Sequence, residues 1–504
     1  MERQSLFAAI CASPRDDLPK LVFADWLDER GDVVDRAHAE LIRIQCEWEL
    51  DALANRRLVE PYYFDFRRPH WPDPVLVAKH DPFAARAIRL LSRATELEPL
   101  AKTRPLMPQP QVNGAAYRHV GPVKGLRTGL RISFAPTWWR RLAELKSILP
   151  IRHVITNIEE GRYLGRPPLE PIDIDVLKNI ESLTAIRHSS LVLLQQILES
   201  PDVKQLRLLS IQHDLNTPGL LEILAMAEQL DKLEELELQD VNENALGLPM
   251  RTGRFQNLRK LRLVSQEGLR QIAPAVGQLV ESASDRLEEL DVASLGDVDG
   301  IIFRVSRLAG LFPKLVQLKL VESGLTGRIV GDLLTSQNFP ELRQLIVSDN
   351  PLVDFIGRTL EKTSTYPKLH TLDLSYCQLS ASAIASLVRW PGFGQLRKLV
   401  LNGNRLNHQA IEALSSADAP NLRTLGLANC NLHGSHIRDL VTSTVVRSLW
   451  HLDLRANMYD DDFVRALIET PFLDALQCLL LNLPEESPVI HRLKARFGDR
   501  FHSS

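Results

Sequence analysis

The strongest constraint on this chain is an apolar pattern, L-x-x-L-x-L, that recurs every 25 to 29 residues through the second half. Its ten regular copies begin at Leu233, Leu258, Leu287, Leu315, Leu342, Leu369, Leu396, Leu422, Leu449 and Leu476, and an eleventh reads Val203-Leu206-Leu208. A random scatter of apolar residues would not keep such a step. The pattern therefore predicts a repeat array in which each copy is one structural unit.

Each copy predicts a short strand, then a turn and a helix. The alternating L-x-L part puts both leucines on one face of a strand. A small or polar residue follows each central strand, namely Ser323, Asn350, Cys377, Asn404, Cys430 and Asn457. These side chains are placed to hydrogen-bond the turn backbone and to stack into a ladder. Cys377 and Cys430 are therefore interpreted as buried small residues rather than nucleophiles.

The step of 27 to 28 residues with a helical back resembles the leucine-rich-repeat family, in its ribonuclease-inhibitor-like class. The match is close from about Val203 to Asn482. The resemblance implies an α/β solenoid curved into a horseshoe, with parallel strands on the concave face, helices on the convex face and a protein partner on the concave side. Stacking is also required physically, because one such unit cannot bury its apolar face alone.

Residues 1–50 do not carry the repeat pattern and are predicted to form three helices. The stretches Asp16–Asp32 and Arg36–Gln45 resemble the short bacterial repeat-companion domain, above all in Ala24-Asp25-Trp26-Leu27 and Glu29-Arg30-Gly31-Asp32. No biochemical activity follows from that resemblance. We interpret the segment as a small all-α cap that seals the first repeat, and a separate docking module is the alternative.

These signals divide the chain into five segments. Residues 1–58 are the helical repeat-companion domain, and residues 59–122 are a proline-rich connector with one helix at Phe83–Glu98. Residues 123–202 carry degenerate leading repeats, read as Val123-Leu126-Thr128, Ile151-Val154-Thr156 and Ile180-Leu183-Ala185. Residues 203–482 carry the regular repeats, and residues 483–504 form a C-terminal tail.

Composition and motifs exclude several classes of function. A net charge of −3 provides no basic field for nucleic acid or acidic membranes. The five cysteines form no C-x-x-C pair, and the G-x-x-x-x-G-K-[ST], H-E-x-x-H and G-x-S-x-G motifs do not occur. The sequence has no apolar run long enough to span a membrane and no signal-peptide pattern at its start. We expect a cytoplasmic protein without a cofactor, a metal site or catalytic residues.

The residue between the last two leucines of each copy is predicted to point into the horseshoe. In the earlier copies this column reads Arg207, Glu237, Arg262, Asp291 and Lys319, with alternating signs. Neighbouring strands lie close enough for such charges to pair. The favoured interpretation is a surface that neutralises itself, each pair contributing about 0–1 kcal/mol. From Ile346 onwards this column combines uncharged and charged residues and no longer alternates in sign. The partner-binding surface is therefore expected in the C-terminal half.

Six residues in that half are predicted to contact a partner: Asp373, Tyr376, Asn402, Trp450, Asp453 and Arg455. Exposed aromatic and arginine side chains on a rigid sheet match the composition of binding hot spots. Trp450 has the alternative of tucking behind its strand. We expect a non-catalytic scaffold or sensor that binds a protein, whose identity the sequence leaves open, rather than nucleic acid or a membrane. The alternative is a regulator such as a GTPase-activating leucine-rich-repeat protein, which would donate an Arg or Asn into another enzyme's site.

Overall fold

A computed structural model describes most of the C-terminal half of the chain and separate segments before it. The described residues are 2–14, 16–50, 74–78, 81–103, 106, 115–118, 129–132, 151–156, 180–186, 200, 205–212, 230, 232–239, 257–264, 285–293, 312–335, 338–353, 366–483 and 487–503. Within these ranges a first compact unit ends at Leu258 and a second begins at Arg259. The predicted copy Val123-Leu126-Thr128 lies outside the described residues.

Helices dominate the beginning of the first unit. The described ones are α1 (Glu2–Ala12), α2 (Asp17–Arg30), α3 (Val33–Glu49), α4 (Pro74–Ala78) and α5 (Pro82–Lys102). The three helices predicted before residue 50 are confirmed, and so is the connector helix, with longer bounds. Asp16, Asp32 and Asp81 cap α2, α3 and α5, each accepting a hydrogen bond from a first-turn amide at 2.9 Å. Such caps satisfy amides that a helix start leaves free.

Helix α5 packs along α3, although the sequence assigned it to a connector. Two ion pairs join them: Arg86 Nη2 donates to Glu47 Oε1 at 2.7 Å, and Arg93 donates to the Glu40 carboxylate at 2.6 and 2.9 Å. The opposite face of α5 is buried, with Ile88 fully enclosed. The helical layer of the first unit therefore includes α5 as well as the three predicted helices.

Six strands of the first unit are described. Strand β1 (Ala115–Arg118) is antiparallel to β2 (Gly129–Ile132). The parallel strands β3 (His153–Thr156), β4 (Ser182–Ile186), β5 (Leu208–Gln212) and β6 (Glu235–Gln239) follow in chain order. Val154 lies opposite Leu183, which confirms the predicted copies that begin at Ile151 and Ile180.

The register of β5 corrects one predicted copy. Leu209 lies opposite Leu236, so the copy reads Leu206-Leu209-Ile211 and begins three residues later than Val203. Its three apolar side chains are at most 1% exposed. The corrected step to the next copy is 27 residues, which agrees with the rest of the array. The prediction failed because valine and leucine also occupy the positions three residues earlier.

The second unit is a parallel sheet with helices between its strands. Its described strands are β7 (Lys260–Val264), β8 (Glu289–Ala293), β9 (Gln317–Val321), β10 (Gln344–Ile346), β11 (Thr371–Asp373), β12 (Lys398–Val400), β13 (Thr424–Gly426), β14 (His451–Asp453), β15 (Cys478–Leu481) and β16 (Phe501–Ser503). Its described helices are α6 (Gly327–Thr335), α7 (Ala381–Arg389), α8 (His408–Ser415), α9 (Gly434–Val441), α10 (Asp461–Glu469) and α11 (Val489–Phe497).

Each strand of this unit pairs in parallel with the next one along the chain. The repeat leucines and valines from Leu258 to Leu481 are at most 1% exposed, and helices α7 to α10 lie side by side in chain order. This arrangement is the predicted α/β leucine-rich-repeat solenoid. The segment after Asn482, predicted as a tail, supplies α11 and then β16, which adds one more parallel strand beside β15.

The predicted ladder is confirmed where the chain leaves the strands. Asn404 Oδ1 accepts hydrogen bonds from the amides of Cys377 and Leu379 at 3.2 and 3.0 Å. Its Nδ2 donates to the carbonyls of Leu374 and Leu401 at 2.8 and 2.9 Å. Asn350 and Asn457 repeat these four bonds. In the alternate rungs the single hydrogen of Ser323, Cys377 or Cys430 lies within hydrogen-bond reach of two backbone carbonyls.

Candidate functional site

Of the predicted contact residues, Asp373 lies on β11 and Asp453 on β14, and the other four flank β11, β12 and β14 of the second unit. Strands β11 and β14 are three strand spacings apart, which corresponds to about 14 Å. The structure therefore distributes the predicted residues over both ends of these strands and does not bring them into one pocket. Their accessibility divides them into two groups, because some lie on the inner face of the sheet and others at the turns that follow the strands.

Tyr376 is the most accessible aromatic residue of the predicted set. It is 48% exposed and has a φ of 55°, in the left-handed region. Its amide donates to the carbonyl of Asn402 at 2.7 Å. Its ring lies against Gly403, where an added Cβ would come within 2.2 Å of Tyr376 Cδ1. The turn therefore presents the other face of the ring to solvent.

The left-handed conformation recurs at the same turn position in successive repeats. The residues there are Glu322, Asp349, Tyr376, Gly403, Asn429 and Ala456, with φ between 51° and 68°. Glycine, asparagine and aspartate adopt this region at least cost, whereas a bulky residue there is an outlier. A strained backbone at an exposed side chain motivates a functional hypothesis. The repeat turn imposes this conformation on Glu322 and Ala456 as well, and Tyr376 is the aromatic residue that the turn exposes.

Asn402 and Asp373 hold the backbone of two successive turns. Asn402 Oδ1 accepts a hydrogen bond from the amide of Ala428 at 2.8 Å, and its side chain is half-buried. Asp373 Oδ1 accepts from the amide and hydroxyl of Ser375 at 2.9 and 2.6 Å. Burial raises the pKa of Asp373 despite these hydrogen bonds. Asp373 therefore supports the turn that carries Tyr376, and the Asn402 side chain supports the turn of the following repeat.

Asp453 is fully buried, which corrects its prediction as an accessible contact. Its side chain is 0% exposed, and both carboxylate oxygens accept from the Arg455 guanidinium, at 2.9 and 2.7 Å. The Arg455 amide donates to the same carboxylate at 3.1 Å. Arg455 keeps 39% of its side chain exposed. Asp453 therefore fixes the guanidinium in place, and Arg455 is the accessible member of the pair.

Trp450 is also buried, so the expectation of an exposed aromatic ring there is wrong. Its side chain is 6% exposed, and the Arg423 guanidinium from the preceding repeat lies 5.2 Å from the ring centroid. Trp450 immediately precedes β14, at the end of the strand opposite to the turn of Tyr376. The stacked guanidinium covers the indole, and a partner has no access to it in this arrangement.

Sequence reasoning missed part of the accessible surface because it followed only the strand positions. Asp349 and Asn429 are exposed at the turns that precede and follow the Tyr376 region. Hydrogen bonds between repeats connect these turns, since the Asp349 amide donates to Ser375 O and the Asn429 amide to Arg455 O, both at 2.8 Å. We call Asp349, Tyr376, Asn402, Asn429 and Arg455 the turn-edge surface. A positive φ at the same turn position of each repeat identifies these exposed residues, and the sequence pattern alone does not show that backbone angle.

The predicted self-neutralising charges are present in part. Arg262 and Asp291 pair at 3.3 Å on the inner face, as expected. Arg207 is not in that column, because Ser210 lies opposite Glu237 and Arg207 instead pairs with Glu234 at 3.4 Å. A second alternating column, unnoticed in the sequence, contains this pair together with Arg152–Glu181 at 2.6 Å and Arg259–Glu288 at 2.8 Å. Charges of the earlier repeats therefore pair with each other along two columns.

His370 makes the second unit sensitive to acid. Burial, with Arg397 and Arg343 nearby, lowers the pKa of His370 to about 3 from the ordinary 6.5. Below pH 6.5 the unfolded chain takes up a proton that the folded chain refuses, so the free energy of unfolding falls as the pH drops toward 3. From pH 7.5 to pH 5 this one group is expected to remove about 2 kcal/mol.

Urea unfolding at a series of pH values measures this effect. His370→Gln should reduce the pH dependence of the free energy of unfolding between pH 6.5 and pH 5, because glutamine does not titrate. The remainder comes from His153, whose pKa burial lowers to about 4. His408→Gln, which changes a side chain that is 65% exposed, should give the same pH dependence of the free energy of unfolding as the unaltered protein. Identical slopes for His370→Gln and the unaltered protein would show that His370 is not the group responsible.

Comparisons with known proteins agree with the repeat architecture. No protein-family model matches the chain. Over 177 residues the chain is 32% identical to a ribonuclease inhibitor of Sus scrofa, a match that takes in 33% of this chain and 38% of that protein. The chain thus spans well under half of that relative's length. The match supports a protein of the leucine-rich-repeat type.

Two solved structures are similar at low sequence identity. A crystal structure of the yeast Rad7 and Elc1 complex contains a chain that is 18% identical, with a TM-score of 0.43, over 60% of this chain and 76% of that one. An internalin (inlF) of Listeria monocytogenes is 15% identical, with a TM-score of 0.37, over 71% of this chain and 90% of that one.

Among the described helices, none is both long and apolar enough to cross a membrane.

Proposed function

We propose that the chain is a non-catalytic scaffold or sensor that binds a protein partner, and that the turn-edge surface carries the contact. Exposure of Tyr376 on a left-handed turn is the observation on which this proposal rests. The ring lies on Gly403 and has few conformations open to it, so binding would cost little side-chain entropy. Tyrosine and arginine are the residue types that dominate protein interfaces, and Arg455 is held rigid by Asp453 on the same edge.

A protein partner fits this surface better than a small molecule. Its residues follow one another along successive turns rather than around a cavity, and small-molecule sites are usually concave. Burial of Trp450 and Asp453 removes them from the contact set that the sequence predicted. The inner face is buried in the same region, with Thr424 at 0% and His451 at 2% exposure. The proposed contact therefore lies at the ends of the strands and not across their middle.

The chain is proposed to act in the cytoplasm. We also propose that the helices before residue 50 belong to the repeat-companion type and act as a cap. The cap interpretation is supported by the ion pair between Arg152 and Glu49 on α3, with Arg152 Nη1 and Glu49 Oε2 at 2.8 Å. This pair connects helix α3 to the residue that directly precedes strand β3.

Site-specific photo-crosslinking identifies the partner and tests the surface. A photoreactive phenylalanine analogue replaces Tyr376 in the full chain, and in a second protein it replaces Phe83, which is 72% exposed on α5. A partner should be captured from the Tyr376 position and not from the Phe83 position. With the captured protein purified, Tyr376→Ala should weaken binding about 10- to 100-fold, since truncating an aromatic hot spot has effects of this size.

Phe83→Ala is the matched control, because it removes an exposed aromatic ring of similar size elsewhere in the chain. Its affinity for the captured partner should stay within about twofold of the unaltered protein. Equal affinities for Tyr376→Ala and Phe83→Ala would reject the turn-edge surface as the contact. Circular dichroism melting of both variants verifies that neither substitution unfolds the protein.

A further inference from the structure

The ring of Tyr376 lies between two turns of opposite charge. The turn before it carries Asp349, whose amide donates to the carbonyl of Ser375 at 2.8 Å. The turn after it carries Arg405, two residues beyond the Gly403 against which the ring packs. Both charged residues are exposed, and neither is in an ion pair within the part of the chain that the structure describes. An acid, an aromatic ring and a base therefore follow one another across three successive repeats.

The surroundings of Asp349 favour a positively charged neighbour. Burial and the charge of Glu322 raise the pKa of its carboxyl group, and the charge of Asp373 adds to this effect. A hydrogen bond with Ser348 opposes the rise only in part. A cation beside the carboxylate would offset this repulsion, and the exposed face of the Tyr376 ring attracts cations too. We therefore expect a basic side chain on this side of the ring.

Apolar surface accompanies the ring at the centre of these turns. Val353 is 44% exposed, and its amide donates to the carbonyl of Cys377 at 3.3 Å, so that it lies beside the residue after Tyr376. We call Asp349, Val353, Tyr376 and Arg405 the bipolar edge. Apolar groups at its centre exclude water from a contact, and the charges at its two ends decide which partner fits.

We propose that the bipolar edge binds an amphipathic helix of the partner protein, in which an apolar side chain is flanked by a basic residue toward Asp349 and an acidic residue toward Arg405. The proposal rests on the proposed function and adds the chemistry of the partner to it. Neighbouring strands are about 4.8 Å apart, and successive turns of a helix rise about 5.4 Å. A helix that crosses the repeats therefore presents its three side chains one turn apart, at positions i, i+4 and i+7.

Selection from a library of helical peptides displayed on phage tests this chemistry. The exposed positions of the peptide are randomised, and the library is selected on the full chain. The enriched peptides should place an apolar residue between one basic and one acidic residue, at steps of one helical turn. Selection on the Arg405→Glu variant should instead enrich peptides with basic residues on both sides, because both ends of the bipolar edge are then acidic.

Fluorescence anisotropy with one labelled peptide from the first selection measures the size of the effect. Asp349→Asn should weaken binding about three- to fivefold, since an exposed ion pair contributes little. Arg405→Glu should weaken it at least about tenfold, because it places like charges opposite each other. The matched controls are Glu412→Gln and Arg328→Gln, which remove exposed charges from α8 and α6. Both should keep the affinity within about twofold.

Three results would overturn the proposal. The first is an absence of enrichment, and the second is enrichment of peptides without the charge pattern or of the same peptides on the unaltered protein and on Arg405→Glu. The third is a dimer of the chain, detected by sedimentation, that Tyr376→Ala dissociates, because a second copy would then occupy the bipolar edge.

Failure of this proposal and failure of the proposed function give different results. If Tyr376→Ala weakens binding of the captured partner while the enriched peptides show no charge pattern, the turn-edge surface stands and the bipolar chemistry is rejected. If the peptides show the pattern and respond to Asp349→Asn while Tyr376→Ala leaves the partner's affinity unchanged, the bipolar edge stands as a peptide site. The turn-edge surface is then rejected as the contact for that partner.

Discussion

Replacement of Asn404 by alanine is expected to lower the free energy of unfolding of the second unit by about 3–5 kcal/mol. Asn404 is 0% exposed, and its side chain satisfies two amides and two carbonyls of neighbouring turns. Alanine leaves the amides of Cys377 and Leu379 and the carbonyl of Leu374 without that partner, whereas the Leu401 carbonyl still has Cys430 Sγ at 3.2 Å. Each unsatisfied buried group costs about 1–3 kcal/mol, and local relaxation recovers part of the total.

The Asn404→Cys variant separates the contribution of the carbonyl contacts from that of the amide contacts to the lost free energy of unfolding. Cys377 and Cys430 occupy the same ladder position in alternate repeats, and the single thiol hydrogen of each lies within reach of two carbonyls. A cysteine at 404 should therefore keep a partner for the Leu374 carbonyl and lose the bonds to the two amides and to the Leu401 carbonyl. The expected loss of stability lies between those of the unaltered protein and Asn404→Ala. Urea unfolding followed by tryptophan fluorescence measures all three proteins.

Asn407→Ala is the matched control for the ladder. Asn407 caps α8 through one hydrogen bond, from the amide of Ala410 at 3.0 Å, and losing it should cost about 1 kcal/mol. The two asparagines are three residues apart in the same repeat, so the comparison isolates the ladder. A loss for Asn404→Ala no larger than that for Asn407→Ala would refute the structural role assigned to the ladder.

Replacement of Arg152 by methionine is expected to destabilise the first unit by about 3 kcal/mol, because it leaves the buried Glu181 and the partly buried Glu49 without their cation. Arg152 donates to Glu49 on α3 at 2.8 Å and to Glu181 beside β4 at 2.6 Å. The side chain of Arg152 is 13% exposed and that of Glu181 is 10% exposed. Methionine fills a similar volume, so the missing charge accounts for most of the loss.

Arg93→Met is the control for an arginine that pairs with two glutamates in solvent. The side chains of Arg93, Glu40 and Glu96 are 48%, 39% and 63% exposed, so the loss should be under about 1 kcal/mol. Chemical denaturation of both variants gives the comparison. Adding Glu49→Gln and Glu181→Gln to Arg152→Met should recover part of the stability, since the unpaired charges are then removed. Similar losses for Arg152→Met and Arg93→Met would contradict the buried ion triad.

Most of the second unit could be predicted from the sequence because its core positions repeat. A leucine at the second position of each copy must face the same side of a strand as the leucine two residues later. The ladder was predictable for a similar reason, since Asn404 and its equivalents follow the strand at a constant distance. The first regular copy was misplaced because Val203, Leu206 and Leu208 also satisfy the spacing, and strand pairing alone decides between the two registers.

The candidate site was harder to predict because accessibility depends on neighbouring repeats. The pattern put Asp453 on the inner face, yet Arg455 folds back on it from two residues away. Trp450 is covered by Arg423, a residue 27 positions earlier in the chain. Tyr376 was correctly expected to be exposed, but its left-handed backbone and its contact with Gly403 follow from the turn geometry of the stacked repeats.

Hydrogen–deuterium exchange of the full chain, alone and with the captured partner, tests the central claim most directly. If the turn-edge surface carries the contact, binding should slow exchange of amides in residues 373–378 and 400–405 and leave helices α7 to α10 unchanged. The Tyr376→Ala variant should lose that protection at the same partner concentration. Protection confined to the helices, with residues 373–378 unaffected, would contradict the proposal that this repeat protein binds its partner at the ends of its strands.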